Sequence, residues 1–122
     1  MKESGENYLE TILQLERNNT IVRSSDIATA LGYSKPSVNK AMNVLKKAGY
    51  ITQERYGNIY LTESGREKAK KVLSKHNMIM TFLVDVLNVT PKTAQIDACK
   101  IEHIISDETI EKINRFTKKN DK

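Results

Sequence analysis

Two short helical segments separated by a tight turn stand out in the first half of the chain. Ser25 can cap the first segment, and Gly32 can end it. Ser34 can cap the second segment, where Pro36 is tolerated because an amide in the first helical turn has no intrahelical partner. The second segment carries an apolar stripe and ends at Gly49. The pattern predicts two helices that meet across a turn.

Two strand-like stretches follow the second helix. Residues 51–55 and 59–61 are rich in β-branched and aromatic side chains, and residues 56–58 supply turn chemistry between them. An additional helix is predicted earlier, over about residues 4–18. Helix, short helix, turn, helix and hairpin is the order of a winged helix-turn-helix, which we expect over residues 20–62.

The second half of the chain is predicted to be helical. Apolar residues recur with helical spacing over residues 63–87 and 90–105, and Ser106 can open a last helix. Together the two halves predict a fold that is mainly α with a small β-hairpin wing.

Charge is unevenly distributed along the 122 residues, whose formal net charge is +5. Residues 1–75 carry 13 Lys and Arg against 8 Asp and Glu, whereas residues 76–122 carry 7 of each. A basic excess confined to the region of the predicted winged helix-turn-helix is expected if that region contacts a polyanion such as DNA.

The single cysteine excludes an internal disulfide and favours a reducing compartment. No apolar run is long enough to cross a bilayer, and the first residues do not lead into the apolar core of a secretory signal. We therefore expect a cytoplasmic protein with no membrane partner.

One face of the second helix of the helix-turn-helix is polar. Short polar side chains near its beginning can approach base edges, and lysines further along can neutralise the phosphates of double-stranded DNA. A solvated face without a partner is the alternative, but the order of elements, the wing and the segregated charge favour DNA. The residues predicted to contact DNA are Arg23, Ser34, Lys35, Pro36, Ser37, Asn39, Lys40, Asn43, Lys47, Arg55 and Tyr56.

Three potential metal ligands lie close together near residue 100. Cys99, Glu102 and His103 are spaced so that a helix would place them on one face. Thiolate, carboxylate and imidazole are all ligands of transition metals. For Cys99 alone, a buried inert thiol is the simpler interpretation. As a set, the three residues predict a metal site.

Several longer motifs occur along the chain, and their members are Tyr8-Leu9-Glu10-Thr11-Ile12, Ser25-Asp26-Ile27-Ala28, Ser37-Val38, Leu61-Thr62-Glu63-Ser64-Gly65, His76, Phe82-Leu83 and the run from Asp97 to Glu108. In this order they resemble the diphtheria-toxin-repressor family of metal-dependent transcriptional regulators. The resemblance implies a winged helix-turn-helix domain, residues 1–72, and a helical dimerisation and metal-binding domain, residues 73–122, without the SH3-like domain of some relatives. It also implies a transcriptional regulator with no catalytic residues. This regulator would be a homodimer that binds a palindromic operator and represses metal-uptake genes when metal is abundant.

The metal-ligand positions of the family fall on six residues of this chain. Position 99 is cysteine in iron-sensing relatives and glutamate in manganese-sensing ones. Asn7 departs from both patterns, which have methionine or aspartate there, and Met80 and Gln95 replace the carboxylate or imidazole of a second site in the iron regulators. The implied ligands are Asn7, Glu10, His76, Cys99, Glu102 and His103.

The donor set determines which metal is expected. Thiolate with imidazole favours iron(II), cobalt(II), nickel(II) and zinc(II) over manganese(II). With cellular availability considered, iron(II) is the first expectation and manganese(II) the second, and the other three should substitute in vitro. His76 can instead join Glu10 and Glu102 in a second metal position.

In the expected mechanism, metal binding fixes the spacing of two recognition helices to match half-sites about one DNA turn apart. One alternative is a winged-helix regulator that senses thiol oxidation through Cys99. Another is a chain that binds DNA constitutively after losing metal control, which Asn7, Met80 and Gln95 favour. An enzyme using a metal-bound water has the least support, because no phosphate-binding loop or nucleophile–base pair accompanies the ligands.

Overall fold

In the computed structural model, the described residues are 3–19, 21–54 and 57–120. They belong to two compact units, residues 1–70 and residues 71–122. No helix within the described ranges combines the length with the apolar character that a bilayer crossing requires. Arg55 and Tyr56, both predicted to contact DNA, lie outside the described residues.

The first unit contains the helices and strands of a winged helix-turn-helix. Its elements are α1 (Glu3–Asn18), β1 (Val22–Arg23), α2 (Ser24–Leu31), α3 (Lys35–Lys47), β2 (Ile51–Gln53) and β3 (Asn58–Leu61). The sheet has the order β1-β3-β2, and both strand pairs are antiparallel. In register, Val22 lies opposite Ile59 and Ile51 lies opposite Leu61. The predicted mainly helical fold with a small hairpin wing is confirmed.

Two local predictions in this unit are corrected by the structure. The strand β1 was not predicted, and it adds a third strand to the hairpin. The prediction that Ser25 caps α2 is wrong, because Arg23 holds the N-cap position and its backbone N–H donates to the Asp26 carboxylate at 2.9 Å. Ser34 does cap α3, since its Oγ accepts the backbone N–H of Ser37 at 3.3 Å.

A continuous apolar core lies among the helices of the first unit. Leu9 and Ile12 of α1, Ile27 of α2, and Val38 and Met42 of α3 have no exposed surface. Burying side chains of this size is the main stabilising contribution to the unit. The apolar stripe of α3 therefore determines which face of that helix is left to solvent.

The wing leads into α4 (Glu63–Thr81) through a close approach of two backbone segments. The hydroxyl of Thr62 donates to the Gly49 carbonyl at 2.7 Å and accepts the N–H of Gly65 at 3.1 Å. The backbone N–H of Thr62 donates to the Tyr50 carbonyl at 3.0 Å. A Cβ atom at Gly65 would overlap that same carbonyl, so glycine is required for this packing.

The second unit is built from helices. The end of α4 is followed by a π-helical segment (Phe82–Val86), α5 (Pro91–Ile101) and α6 (Asp107–Asn120). One cluster of buried apolar residues in this unit consists of Ile79, Ala98 and Ile110, one from each α-helix. The partly buried side chains that pack against them are Met78, Met80, Leu83, Ile101 and Ile105.

Two helix boundaries in this unit differ from the predictions. The helix expected to reach Leu87 changes at Thr81, and the N–H of Leu87 donates to the Phe82 carbonyl, five residues back, at 3.2 Å. The helix expected to reach Ile105 ends at Ile101, so Glu102 is its C-cap residue and a turn follows. Of the three clustered donors, Cys99 therefore lies within α5, Glu102 caps it with helical backbone angles, and His103 follows in the turn.

Candidate metal centre and nucleic-acid interface

His76 on α4 is a buried histidine whose two ring nitrogens lie near different partners. Its Nε2 lies 3.1 Å from Oε1 of Gln95, and its Nδ1 lies 3.1 Å from Oε2 of Glu102. An amide oxygen carries no hydrogen, so a hydrogen bond between these two atoms requires the histidine hydrogen on Nε2. In neutral imidazole this leaves the lone pair on Nδ1, the nitrogen that lies beside the Glu102 carboxylate.

The Glu102 side chain is completely buried at the C-terminus of α5. One of its oxygens lies near His76, and the other lies 3.3 Å from Nε2 of His103, whose side chain is also fully buried. Although Nδ1 of His76 is within hydrogen-bonding distance of Glu102, it makes no hydrogen bond of good geometry among the described residues. A lone pair and a carboxylate oxygen held together in this way are favourable ligands for a cation.

Cys99 supplies a third donor to the same place. A ring nitrogen of His76, Sγ of Cys99 and a carboxylate oxygen of Glu102 all lie within 4.8 Å of one another. Metal–ligand bonds of about 2.0–2.3 Å allow two ligands of one ion to be as far apart as roughly 4.4 Å. The three donors therefore fit a single divalent transition metal after at most a small adjustment.

The other predicted ligands have different positions. Met80, which replaces a ligand of the family's second site and was not itself predicted to bind metal, packs against the apolar core of the second unit. Asn7 and Glu10 lie on α1 in the first unit, where Glu10 is buried and the Asn7 backbone carbonyl accepts a hydrogen bond from Thr11. The assignment of Asn7 and Glu10 as ligands stays a prediction.

The Gln95 contacts were not anticipated from the sequence. Its side-chain NH₂ group lies 3.7 Å from Sγ of Cys99, and its oxygen lies near His76. The contact with Cys99 follows from a spacing of four residues within α5, and the sequence therefore contained a signal for it. The contact with His76 joins two helices and had no local signal.

The outward face of α3 presents the predicted DNA contacts. Its N-terminus is shaped by Ser34, whose hydroxyl bonds Ser37, and by Pro36 in the first turn. Apart from Val44, the exposed side chains on α3 and at its N-cap are Ser34, Lys35, Pro36, Ser37, Asn39, Lys40, Asn43, Lys46 and Lys47. Amide and hydroxyl groups together with lysines provide donors and acceptors for base edges and charge for phosphates.

Two further residues modify this surface. Val44 is 61% exposed, one turn beyond Lys40, and was not predicted as a DNA contact. An apolar side chain at that place can pack against a thymine methyl group. Arg23, which was predicted, is exposed on β1, and its Nε donates to Asn58 of β3 at 3.2 Å. Its guanidinium is therefore oriented by the wing.

The chain combines a winged helix-turn-helix, whose helix α3 presents lysines to solvent, with thiolate, imidazole and carboxylate donors. This combination is that of a metal-responsive DNA-binding protein. Comparison with known proteins makes the assignment more specific. Residues 1–59 match the N-terminal DNA-binding domain of the iron-dependent repressors, and residues 62–122 match their metal-binding and dimerisation domain. The chain belongs to this family of metal-dependent transcriptional regulators, as its resemblance to the diphtheria-toxin repressors predicted.

Individual relatives agree with the family. The chain is 41% identical over 120 residues to an uncharacterised HTH-type transcriptional regulator of Methanocaldococcus jannaschii, MJ0568, with 98% of this chain and 96% of that protein covered. It is 34% identical to the transcriptional regulator MntR of Escherichia coli O6:H1 (strain CFT073), covering 97% of this chain and 76% of MntR. Since these relatives are transcriptional regulators, the prediction of a non-enzymatic protein is confirmed.

The fold is shared with a solved structure of a manganese regulator, SloR. The TM-score is 0.83 at 26% sequence identity, and the match covers 93% of this chain. The chain spans about half of the SloR chain, 53%.

Proposed function

We propose that the protein is a transcriptional repressor whose homodimer binds a palindromic operator when a divalent metal is bound. The observation that carries the proposal is the approach of His76, Cys99 and Glu102 to within 4.8 Å of one another, with Glu102 fully buried. A buried carboxylate beside an imidazole lone pair is costly without a cation, so metal binding stabilises this arrangement.

The ligands lie on different elements, which links metal binding to the conformation of the second unit. His76 belongs to α4, Cys99 to α5, and Glu102 and His103 to the turn after α5. The ion supplies positive charge and a fixed coordination geometry, and ligation by residues of both helices favours one arrangement of them. Metal thereby favours the DNA-binding state of the dimer through its differential affinity for that state.

Homodimerisation is supported by the family's dimerisation domain and by exposed apolar residues in the second unit. Ile104 is 78% exposed, and Leu87, Ile96 and Phe116 are each at least half exposed. These large exposed apolar side chains are the candidates for the dimer interface. A two-fold dimer in turn requires an operator with two-fold sequence symmetry.

Iron(II) is the metal we propose, with manganese(II) as the competitor. The Cys99 thiolate is a softer donor than the carboxylate that manganese prefers, and the matching domain family is described as iron dependent. SloR, by contrast, is described as a manganese regulator. The thiolate is the feature of this chain that supports iron over manganese.

The proposal is tested by anaerobic capture of fragmented genomic DNA with the purified protein in chelator, iron(II) or manganese(II). We expect one palindromic sequence to be enriched with metal, more strongly with iron, and transcription from its promoter to fall when metal is added. Equal enrichment in chelator would refute metal control, and a response to peroxide instead would favour redox sensing through Cys99.

Variants identify the ligands in the same assay. Cys99→Ser should weaken the iron response at least about tenfold and shift preference toward manganese, because the soft donor is lost. Glu102→Gln should reduce the response to every metal, whereas the matched control Asp97→Asn, on the exposed part of α5, should not. Asn7→Ala and Glu10→Gln test the two ligand predictions in the first unit. An unchanged iron response in Cys99→Ser would exclude the thiolate as a ligand.

A further inference from the structure

Gln95 contacts two of the proposed ligands at once. It lies on α5, one turn before Cys99, and both ends of its side-chain amide are used. The oxygen lies 3.1 Å from Nε2 of His76, and the NH₂ group donates to Sγ of Cys99 at 3.7 Å. In the sequence, Gln95 was noted only because it replaces a ligand of the family's second metal site. In the structure it contacts both His76 and Cys99, two proposed ligands of the remaining site.

The oxygen of Gln95 competes with Glu102 for the single hydrogen of neutral His76. Oε2 of Glu102 lies 3.1 Å from Nδ1 and, as a carboxylate, attracts a hydrogen to that nitrogen. A hydrogen on Nδ1 would occupy the lone pair that a metal needs. The contact of Nε2 with the Gln95 oxygen meets hydrogen-bond geometry, whereas Nδ1 has no partner of good geometry among the described residues, so Gln95 favours the other tautomer and keeps Nδ1 available.

The NH₂ group of Gln95 acts on the second ligand. A hydrogen bond from an amide to a thiolate sulfur stabilises negative charge on the sulfur and restricts the side-chain rotamer. When the amide oxygen accepts the Nε2 hydrogen of His76, the NH₂ group is directed to Cys99, so the two contacts are mutually consistent. The same side chain therefore fixes the orientation of two ligands on two helices.

We propose that Gln95 is the positioning residue of the metal centre, holding His76 with its hydrogen on Nε2 and donating to the Cys99 sulfur. This inference rests on the proposed function, since it assumes that His76 and Cys99 are ligands. Gln95 itself does not bind the ion. Its role is to orient His76 and Cys99 so that Nδ1 and Sγ are directed toward the ion.

The first test uses the metal-free protein, with imidazole nitrogen NMR spectra at about pH 8.5, where histidine is ordinarily neutral. The chain has only two histidines, so a His103→Gln variant assigns the signals. We expect hydrogen on Nε2 of His76 in the parent and a shift toward Nδ1 in Gln95→Met, which has no acceptor. Gln14→Met, at an exposed position of α1, is the matched control and should leave the spectrum unchanged. An unchanged tautomer in Gln95→Met refutes the inference.

The second test uses metal binding. Gln95→Met should weaken cobalt(II) and zinc(II) binding about 10- to 100-fold and shift the cobalt–thiolate absorption band. Gln95→Glu retains the acceptor but loses the donor, so it should keep the Nε2 tautomer and still shift the band. A large gain of affinity in Gln95→Glu would instead identify position 95 as a ligand position and overturn the positioning role. If the parent bound no metal, the proposed function would fail, while the metal-free spectra would still decide the role of Gln95.

Discussion

Replacing Gly65 by alanine is expected to destabilise the protein, although the same change on an exposed helix usually stabilises. Alanine is favoured over glycine in a helix by about 1 kcal/mol. At position 65, however, the new Cβ overlaps the carbonyl of Tyr50, a backbone group that cannot rotate away. Overpacking costs about 1–3 kcal/mol, and displacement of the carbonyl also weakens its hydrogen bond from Thr62, worth about 1 kcal/mol.

The net loss in the free energy of unfolding is about 1–3 kcal/mol, which lowers the Tm by roughly 4–12 °C for a chain of this size. Urea and thermal unfolding of metal-free protein at fixed concentration measure it, because ligand and dimer equilibria then stay constant. Ser64→Ala is the matched control, since it adds helix propensity at an exposed neighbouring position and should change stability by less than about 0.5 kcal/mol. A Gly65→Ala variant more stable than its parent would show that this close approach is absent.

Two further predictions concern charge. If Lys40 contacts a phosphate, Lys40→Ala should weaken binding to the enriched operator and reduce the slope of log affinity against log salt concentration by about 1. The matched control is Lys70→Ala, at an exposed position of α4, which should have little effect on the same binding. Equal losses of affinity in the two variants would refute a specific contact by Lys40. The hydrogen bond from Lys75, with the charges of Lys71 and Lys75, lowers the pKa of Asp107 below its usual 3.8. The stability that these contacts add is therefore present above pH 3.8 and is lost as pH falls through the lower pKa of the folded state. In Asp107→Asn, the free energy of unfolding should depend less steeply on pH below about pH 4, and a profile identical to that of the parent would contradict this prediction.

Elements with complete local signals were predictable from the sequence. For α3, the Ser34 cap, the proline in the first turn and the apolar stripe all lie within the helix itself, and the structure agrees with each. For α2, the N-cap was placed at Ser25 because Asp26 was interpreted only as an acidic residue of the first helical turn. In the structure the Asp26 carboxylate also accepts the backbone N–H of Arg23, so Arg23 is the N-cap. The helix consequently begins at Ser24, after an N-cap two residues before the predicted one.

Features that depend on tertiary pairing were not predictable in this way. The strand β1 is two residues long, too short for any periodicity, and exists because β3 pairs with it. The apolar residues after Ile101 have helical spacing, but the chain turns at Glu102. The potential ligands Cys99, Glu102 and His103 could be grouped because they are neighbours in sequence, and their role as ligands stays a prediction. The contact between His76 and Gln95 had no such local signal, because it brings together residues on different helices.

The arrangement of the sheet has a consequence for how the protein behaves at high concentration. The longest strand, β3, lies in the middle, and the edges are formed by β1 and β2, of two and three residues. An exposed strand edge is a template for pairing with another chain, and its hazard grows with its length. Because both edges here are so short, the wing offers little backbone for unintended strand addition, and the protein can present a β-ribbon to its surroundings with a low tendency to aggregate through it.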